Sequence, residues 1–449
     1  MDEQLIRKFA GPVPRYTSYP TAPHFHNGVD SQTYASWLRG LGAENSLSLY
    51  VHIPYCDRLC WFCACHTKHT LRYEPIATYL KSLHREIESV GRHVSSETKV
   101  TAVHFGGGSP TMVEPEDMIA LMHCLRSAFC FAENAEISVE MDPNDLDEGR
   151  YDALAAIGMT RASLGVQDFD AKVQKTINRI QSFEQTRSVV DAVRARGVRS
   201  VNCDILYGLP YQTVDTLRDT VRQIISLDPD RIALFGYAHV PWMKKHQSMI
   251  SEKALPNVYE RYRQMTVAGE MLRQAGYHTI GIDHFAKPGD TLARALNDGE
   301  LRRNFQGYTD DSADALIGLG ASAIGKLPQG YVQNMVATGE YERAADTGGL
   351  CVVKGIELSV EDRVRAFVIE RIMCDFSLDF FALEQLFGVD SEEAIMEAVD
   401  FARSERDGLV KLSGDRFSLT EAGKPFARSI AAIFDTYLTS GRGRHSVAV

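Results

Sequence analysis

Long apolar runs are missing from this chain. No stretch approaches the ~18–20 uninterrupted apolar residues of a membrane helix, so no membrane span is expected. A surplus of positive charge is missing too. The formal net charge is −11 and the basic residues are scattered, whereas a nucleic-acid partner calls for a basic stripe. The tail GRGRHSVAV is mildly basic but short, and ends of this kind commonly fray. The opening MDEQLIRKFAGPVPRYTSYP lacks the apolar segment of a secretory leader, so a cytoplasmic location is expected. Low-complexity tracts and repeats at solenoid periods are absent as well. The apolar fraction of 44% and charged fraction of 24% exclude wholesale disorder. At 449 residues, one large domain with a smaller companion is the expectation.

An even disulfide framework is also lacking. The nine cysteines are odd in number, and four of them, Cys56, Cys60, Cys63 and Cys65, crowd into ten residues. The other five are dispersed. A metal or redox site in a reducing compartment fits this better than stapling does.

What is present is a series of β-type apolar runs, each followed by an amphipathic stretch. The expected strands are Ser48–Ile53, Lys99–Phe105, Glu136–Met141, Arg161–Val166, Ser200–Leu206 and Arg231–Val240. The expected helices are Glu74–Val90, Pro115–Phe129, Leu146–Ala156, Phe183–Arg196, Val214–Ile225 and Tyr259–Ala275. Near-continuous apolar strands alternating with helices indicate a parallel sheet. Right-handed crossovers would curl it into a full or partial barrel. Residues 54–65, 106–110, 142–143, 167–168 and 208–210 directly follow strand C-termini, the edge at which ligands bind in barrels and open α/β sheets.

Residues 1–45 form an N-terminal arm whose PRYTSYPTAPHF segment is too polar and proline-broken for a regular element. The main domain is expected over 46–355. From 356 to 449 the pattern turns mostly helical (Val360–Cys374, Phe381–Phe387, Glu392–Arg406). A strand pair (Leu409–Leu412, Arg416–Leu419) and a helix from Glu421 then suggest a winged-helix-like module. Without a basic recognition surface it reads as a lid or packing domain rather than a DNA binder.

Cys56-x3-Cys60-x2-Cys63 is the sharpest signal. With nine cysteines in 449 residues, chance produces that spacing roughly 0.4% of the time. A structural zinc site wants four ligands, usually as two separated Cys pairs. Cys65, His52 and His66 keep a Cys3His zinc site open as the alternative. Three thiolates on a [4Fe–4S] cluster would leave one iron open for a small-molecule ligand. Cys65 itself reads equally as a site residue or a small buried hydrophobe.

Set after the strand YVHIPYC, this motif resembles the radical S-adenosylmethionine (SAM) superfamily. The segments PRYTSYPTA, HFGGGSPT, EISVEMDP, LGVQDF, NCDILYGLP, FGYAHVP, DHFAKP and RRNFQGYT resemble the oxygen-independent coproporphyrinogen III oxidases within it, from about Arg15 to Leu438. The resemblance implies a partial (β/α)6 barrel with the arm and C-terminal domain just described. It implies Cys56, Cys60 and Cys63 as ligands of a [4Fe–4S] cluster and two bound SAM molecules. Tyr50, Gly107, Glu140 and Ile324 match positions around the first; Phe62, Gly108, Ser109, Gln167, Arg179, Asp204 and Ala238 match those around the second. Cys65 takes the place of a fourth, non-ligating cysteine, and Phe305 and Gln306 fall in the NFQGYT segment. Two departures stand out: Ala64 where glycine is frequent, and Ser109 where threonine is usual.

Independently of the family, Gly106–Gly108 would leave room for a ligand against the backbone. Glu140 and Asp204 could accept from an ammonium or ribose hydroxyls, and Arg179 could clamp a carboxylate. The implied reaction converts two propionates of coproporphyrinogen III to vinyl groups. A 5′-deoxyadenosyl radical takes a hydrogen from the β-carbon, and CO2 and one electron are lost. A tetra-anionic substrate requires local positive charge despite the net −11; Arg15, Arg302 and Arg303 are the candidates. The electron donor and acceptor are not named by the sequence, and a monomer is expected. Two rivals are a haem-chaperone relative, against which the intact Arg15–Thr21 segment speaks, and a non-catalytic cluster or haem carrier, against which Gln167, Arg179 and Asp204 speak.

Overall fold

In the computed structural model, which describes residues 3–144 and 146–438, a 12-stranded sheet forms the frame. Its strands in chain order are β1 (Ser46–Ile53), β2 (Lys99–Gly107), β3 (Cys130–Met141), β4 (Arg161–Gln167), β5 (Ser200–Tyr207), β6 (Arg231–Gly236), β7 (His278–Ile280), β8 (His284–Ala286), β9 (Ala315–Leu319), β10 (Ile324–Leu327), β11 (Gly330–Asn334) and β12 (Val352–Glu357). Strands β1 to β6 lie side by side in sequence order, all parallel. Strand β9 joins parallel to β1, and antiparallel strands extend both edges. Among the described residues the two edges, β12 and β7, share no hydrogen bonds, so this is an open, partial barrel.

The core strands form where expected because the face turned toward the helices is apolar: in β1, Leu47, Leu49, Val51 and Ile53 alternate along one side and are all buried. The outer helices follow from amphipathic spacing. Helix Glu74–Gly91 buries Ile76, Tyr79, Leu80, Leu83, Ile87 and Val90 against the sheet. Helix Val214–Ser226 starts at a reciprocal Thr213/Thr216 capping box. The inner face is polar, and register aligns it into rows. Tyr50 sits beside His104 and His104 beside Ser138; Glu140 pairs with Ser163 and Ser163 with Asn202. At the opposite end, Arg161 binds Glu136, and Arg231 pairs with Asp290 and Asp310 at 2.6 and 3.1 Å. These ion pairs satisfy charges that would be costly if buried alone.

Several boundaries differ from expectation. Strand β6 stops at Gly236 rather than Val240, because its neighbour β5 ends at Tyr207, the register partner of Gly236; the chain then leads into a 3-10 segment, Lys245–Met249. Strand β3 begins at Cys130, six residues before the expected Glu136. Short helix Ala171–Thr176, capped by Asp170, was not foreseen. Strand β9 and the edge meander had no distinctive pattern either. In the N-terminal region, PRYTSYPTAPHF holds only a turn at Ala22–His24, while helices Glu3–Phe9 and Ser31–Arg39 flank it. The C-terminal strand pair is three-stranded, with Ser377–Asp379 added. The last helical turns begin at Lys424 rather than Glu421. The tail from 441 lies outside the described residues.

A second hydrophobic core unites distant parts of the chain. Ile6, Tyr16 and Tyr19 pack with Val368, Ile372, Phe417, Phe426 and Phe434. Arg428 ties this unit to the N-terminal segment, donating to the carbonyls of Pro14 (3.2 Å) and Val13 (2.6 Å). No helix among the described residues is long and apolar enough to cross a membrane.

Candidate active site

The loop after β1 carries the clustered cysteines and is fastened from several sides. A two-residue parallel ladder joins Tyr55–Cys56 to Lys68–His69. The amide of Trp61 donates to Ile177 O (2.9 Å), and Asn178 Nδ2 donates to Leu59 O (2.9 Å). From beyond β6, Lys244 Nζ donates to Cys65 O (2.7 Å), His246 Nε2 to Cys63 O (2.7 Å), and Gln247 Nε2 to Phe62 O (2.8 Å). Gln247 Nε2 also reaches Ala238 O (3.2 Å), which places Ala238 against the loop. Lys244, His246 and Gln247 were invisible as site residues, since nothing in KKHQ marks it as a clamp.

A cavity of about 220 Å3 opens between this loop and the strand ends. Cys56, Cys60, Cys63, Cys65 and Phe62 line one side. Gly107, Gly108, Ser109, Glu140, Gln167, Arg179 and Asp204 line the rest. The structure thus gathers twelve of the expected site residues, drawn from the first five strands and the segments that follow them, around one space.

The glycines are required by geometry. Gly107 has φ +115°, and a Cβ on Gly108 would lie 2.4 Å from Tyr55 O. Gly108 and Ser109 donate through their amides to Ile53 O (2.8 Å) and Tyr55 O (2.7 Å), binding the β2 turn to the cysteine loop. Gln167 is held in the left-handed region (φ 70°) at the end of β4, a conformation that non-glycine residues adopt mostly where the surroundings demand it.

Glu140 accepts from the Gly107 amide (3.0 Å) and His104 Nε2 (3.1 Å). Burial would raise its pKa, but these donors outweigh it and hold the carboxyl below its ordinary value. Tyr50 and Glu140 both press against Gly106, where a Cβ would meet them at 3.0 and 2.9 Å. Tyr50 Oη bonds His52 Nδ1 (2.9 Å), and His52 Nε2 bonds His66 O (3.0 Å). Because a carbonyl only accepts, Nε2 carries the proton and Nδ1 accepts from the tyrosine. Burial pushes His52 down to about 4, so it is neutral at physiological pH. Asp204 accepts from Asn202 Nδ2 (2.7 Å) and is raised to about 6 by burial.

Arg179 binds Asp142 (2.8 Å), Gly165 O (2.5 Å) and Cys60 Sγ (3.7 Å). Its buried Nε has no hydrogen-bond partner, which leaves a donor for a bound anion. The Cys65 amide donates to Cys63 Sγ (3.4 Å), and the Cys65 thiol helps bring Cys63 down to about 7. Donors aimed at sulfur suit thiolates. The described residues include no group of three His, Cys, Asp or Glu side chains arranged to hold a single ion. An iron–sulfur cube instead takes one thiolate per iron.

The remaining expected residues lie further out. Ile324 and Phe305 pack in one cluster with Phe25, Tyr331 and Ile356. Gln306 sits in the turn of hairpin 302–309, its amide bonded to Asn304 Oδ1 (2.9 Å). Arg15 and Arg303 come together: Arg303 Nε and Nη2 each lie 3.4 Å from Arg15 O. Arg302, on the opposite face of the same strand, is half exposed, pairs with Glu370 (3.5 Å) and lines another cavity that Arg303 also borders. Two arginines missed by sequence reasoning, Arg261 and Arg428, join Arg15 and Arg303. They lie on helical segments, where arginine is commonplace.

An open parallel barrel with a three-cysteine loop at its C-terminal edge defines a radical SAM enzyme, and residues 50–224 match the Radical SAM superfamily. Residues 358–426 match the HemN C-terminal domain. Over 437 residues the chain is 48% identical to the oxygen-independent coproporphyrinogen III oxidase of Bradyrhizobium diazoefficiens, covering 97% of each. It is 46% identical to that of Paracoccus denitrificans over 441 residues, 98% of this chain and 97% of the relative. The solved coproporphyrinogen III oxidase (HemN) of Escherichia coli, a radical SAM enzyme, superposes with TM-score 0.91 at 36% identity, over 97% of this chain and 99% of that one. The chain belongs to the oxygen-independent coproporphyrinogen III oxidase family. Its cofactors are accordingly a [4Fe–4S] cluster and SAM, and the zinc, haem-chaperone and carrier alternatives fall away.

Proposed function

We propose that this enzyme oxidatively decarboxylates two propionates of coproporphyrinogen III to vinyl groups, giving protoporphyrinogen IX without oxygen. The observation carrying this reading is the single cavity in which the three cysteines, Glu140, Arg179 and Asp204 meet. Cys56, Cys60 and Cys63 would hold the cluster, each through one iron. When bound, the cluster and SAM supply a 5′-deoxyadenosyl radical that abstracts a propionate β-hydrogen, after which CO2 and one electron leave.

The chain's own residues position and shield. Glu140, kept ionised, accepts from the ammonium or ribose of the first SAM, beside Tyr50, Gly107 and Ile324. Arg179 offers its remaining N–H to the second SAM's carboxylate, while Asp204 and Gln167 take polar hydrogens, and Phe62, Gly108, Ser109 and Ala238 shape the space. Cys65, Phe305 and Gln306 face the substrate side. The neutral His52 fixes Tyr50 without adding charge. Residues 1–45 and 356–449 serve as an arm and a lid over the 46–355 barrel, excluding water from a radical that attacks nearby C–H bonds. The working location is the cytoplasm, the enzyme is a monomer, and a separate low-potential donor and a terminal acceptor complete the electron balance.

The test is anaerobic incubation of reconstituted enzyme with SAM, dithionite and coproporphyrinogen III, with product chromatography. Protoporphyrinogen formation with 5′-deoxyadenosine release is expected. Release of 5′-deoxyadenosine with no vinyl product would overturn the reading.

A further inference from the structure

Beside the cluster cavity, at the C-terminal ends of β5 and β6, lies a smaller one of about 40 Å3. Arg15, Arg261, Arg303 and Arg428 line it, and Asp283 is the one carboxylate among its described lining residues. The four come from the N-terminal segment, helix Val258–Gln274, hairpin 302–309 and helix Ala427–Ala431. Uncharged carbonyls anchor three of them. Arg15 Nη2 donates to Gly236 O (3.0 Å), Arg303 reaches Arg15 O, and Arg428 reaches Pro14 O and Val13 O. Arg303 Nη1 is buried without a hydrogen bond, 3.8 Å from Asp283 Oδ1.

Asp283, held by His284 Nδ1 at 2.7 Å, sets one negative charge against the four guanidiniums and acts on Arg303 and Arg15. Guanidinium stays protonated in proteins. Guanidiniums converging on one cavity favour an anionic group there. Consistently, burial and then the Arg15 charge pull Arg428 down to about 9. Arg15 keeps accessible surface and borders the cavity. It also lies close enough to the Cys65 thiol to interact with it electrostatically.

We infer that Arg15, Arg261, Arg303 and Arg428 form a carboxylate-binding pocket that holds one propionate of the tetrapyrrole, an arm other than the one being oxidised. This rests on the proposed function. The space is a few times the ~10–15 Å3 that one water needs, enough for a carboxylate and far too small for the macrocycle. The arm bound here is not the reacting one, because decarboxylation discharges the carboxylate. Four cations stabilising that charge in the ground state would raise the barrier to its loss. Anchoring a spectator arm instead orients the reacting arm toward the cluster cavity.

The experiment compares steady-state KM for coproporphyrinogen III in wild type, Arg261→Met, Arg428→Met and the matching lysine variants, with iron content as the folding control. KM is expected to rise at least about tenfold in each methionine variant, about 1.4 kcal/mol, and less in the lysine variants, which keep charge but lose the planar fork. KM within about threefold of wild type in both methionine variants would overturn the pocket while wild-type turnover still upholds the reaction. A wild type that makes no vinyl product overturns the reaction itself. If the methionine variants lose iron, fluorescence titration of wild type with coproporphyrin III and its tetramethyl ester decides. At least about tenfold tighter binding of the acid supports the pocket, and equal binding removes it.

Discussion

Arg179 Nη1 lies 2.8 Å from Asp142 and 3.7 Å from Cys60 Sγ, so a single buried guanidinium joins an acidic residue of the β3 loop to Cys60, one of the three proposed cluster ligands. Asp142 is 6% exposed, and removing its partner strands a buried charge. Arg179→Met should cost about 3–5 kcal/mol in chemical denaturation, with Asp142→Asn in the same chain restoring part of it. Iron content after reconstitution should fall as well. Stability unchanged by the single substitution would show the pair to be solvated.

Substitution distinguishes the proposed ligands Cys56, Cys60 and Cys63 from their neighbour Cys65. Alanine at Cys56, Cys60 or Cys63 should abolish the ~400 nm iron–sulfur absorbance and all vinyl formation. Cys65→Ser should retain iron, since the Cys65 amide still reaches Cys63 Sγ (3.4 Å) and the serine hydroxyl can donate to that sulfur as the thiol does. Turnover in that variant should drop about 100-fold or more if the thiol faces substrate. Iron loss in the serine variant would make Cys65 a ligand.

Gly108 offers a steric test. Alanine there would push a Cβ to 2.4 Å from the Tyr55 carbonyl, a backbone atom without freedom to retreat. Gly108→Ala should therefore loosen the contact between the β2 turn and the cysteine loop. The expected result is a loss of stability of about 1–3 kcal/mol and weaker SAM binding by equilibrium dialysis. Unchanged SAM affinity would mean that the turn adapts.

Glu86 supplies a pH test away from the chemistry. It accepts from Gly320 N (2.7 Å), Asn334 Nδ2 (2.6 Å) and Tyr341 Oη (2.6 Å), bracing the end of β9. Burial nevertheless raises it to about 7 from 4.5. A carboxyl with a raised folded-state pKa binds its proton more tightly when folded. Its contribution is therefore largest below about 4.5 and declines as pH rises through 7. The stability difference between wild type and Glu86→Gln, from urea melts, should shift against wild type by on the order of 3 kcal/mol over that window. A flat difference would show that the three donors cancel the desolvation.

Much of the site was legible before any fold was known, but unevenly. The cysteine spacing and Gly106–Gly108 are contiguous patterns, and contiguous patterns survive in one dimension. Arg179 and Asp204 became candidates through resemblance, since each alone is an ordinary charge. Arg302 and Arg303 could not be told apart in sequence. Side chains alternate along a strand, and which face meets Arg15 depends on where the hairpin docks. Lys244, His246 and Gln247 were missed because a segment about 180 residues from the cysteines gives no sign that it crosses them.

By itself the sequence determined the order of the first six core strands and the main helices between them, the polar edge and the cysteine loop. Those depend on hydrophobic period and short-range spacing, which each segment carries alone. Only the tertiary structure decided that Ile6 and Tyr16 share a core with Phe434, and that arginines as far apart as 15 and 428 border one cavity. Such meetings follow from packing and charge summed over the whole fold, so no local stretch of residues encodes them.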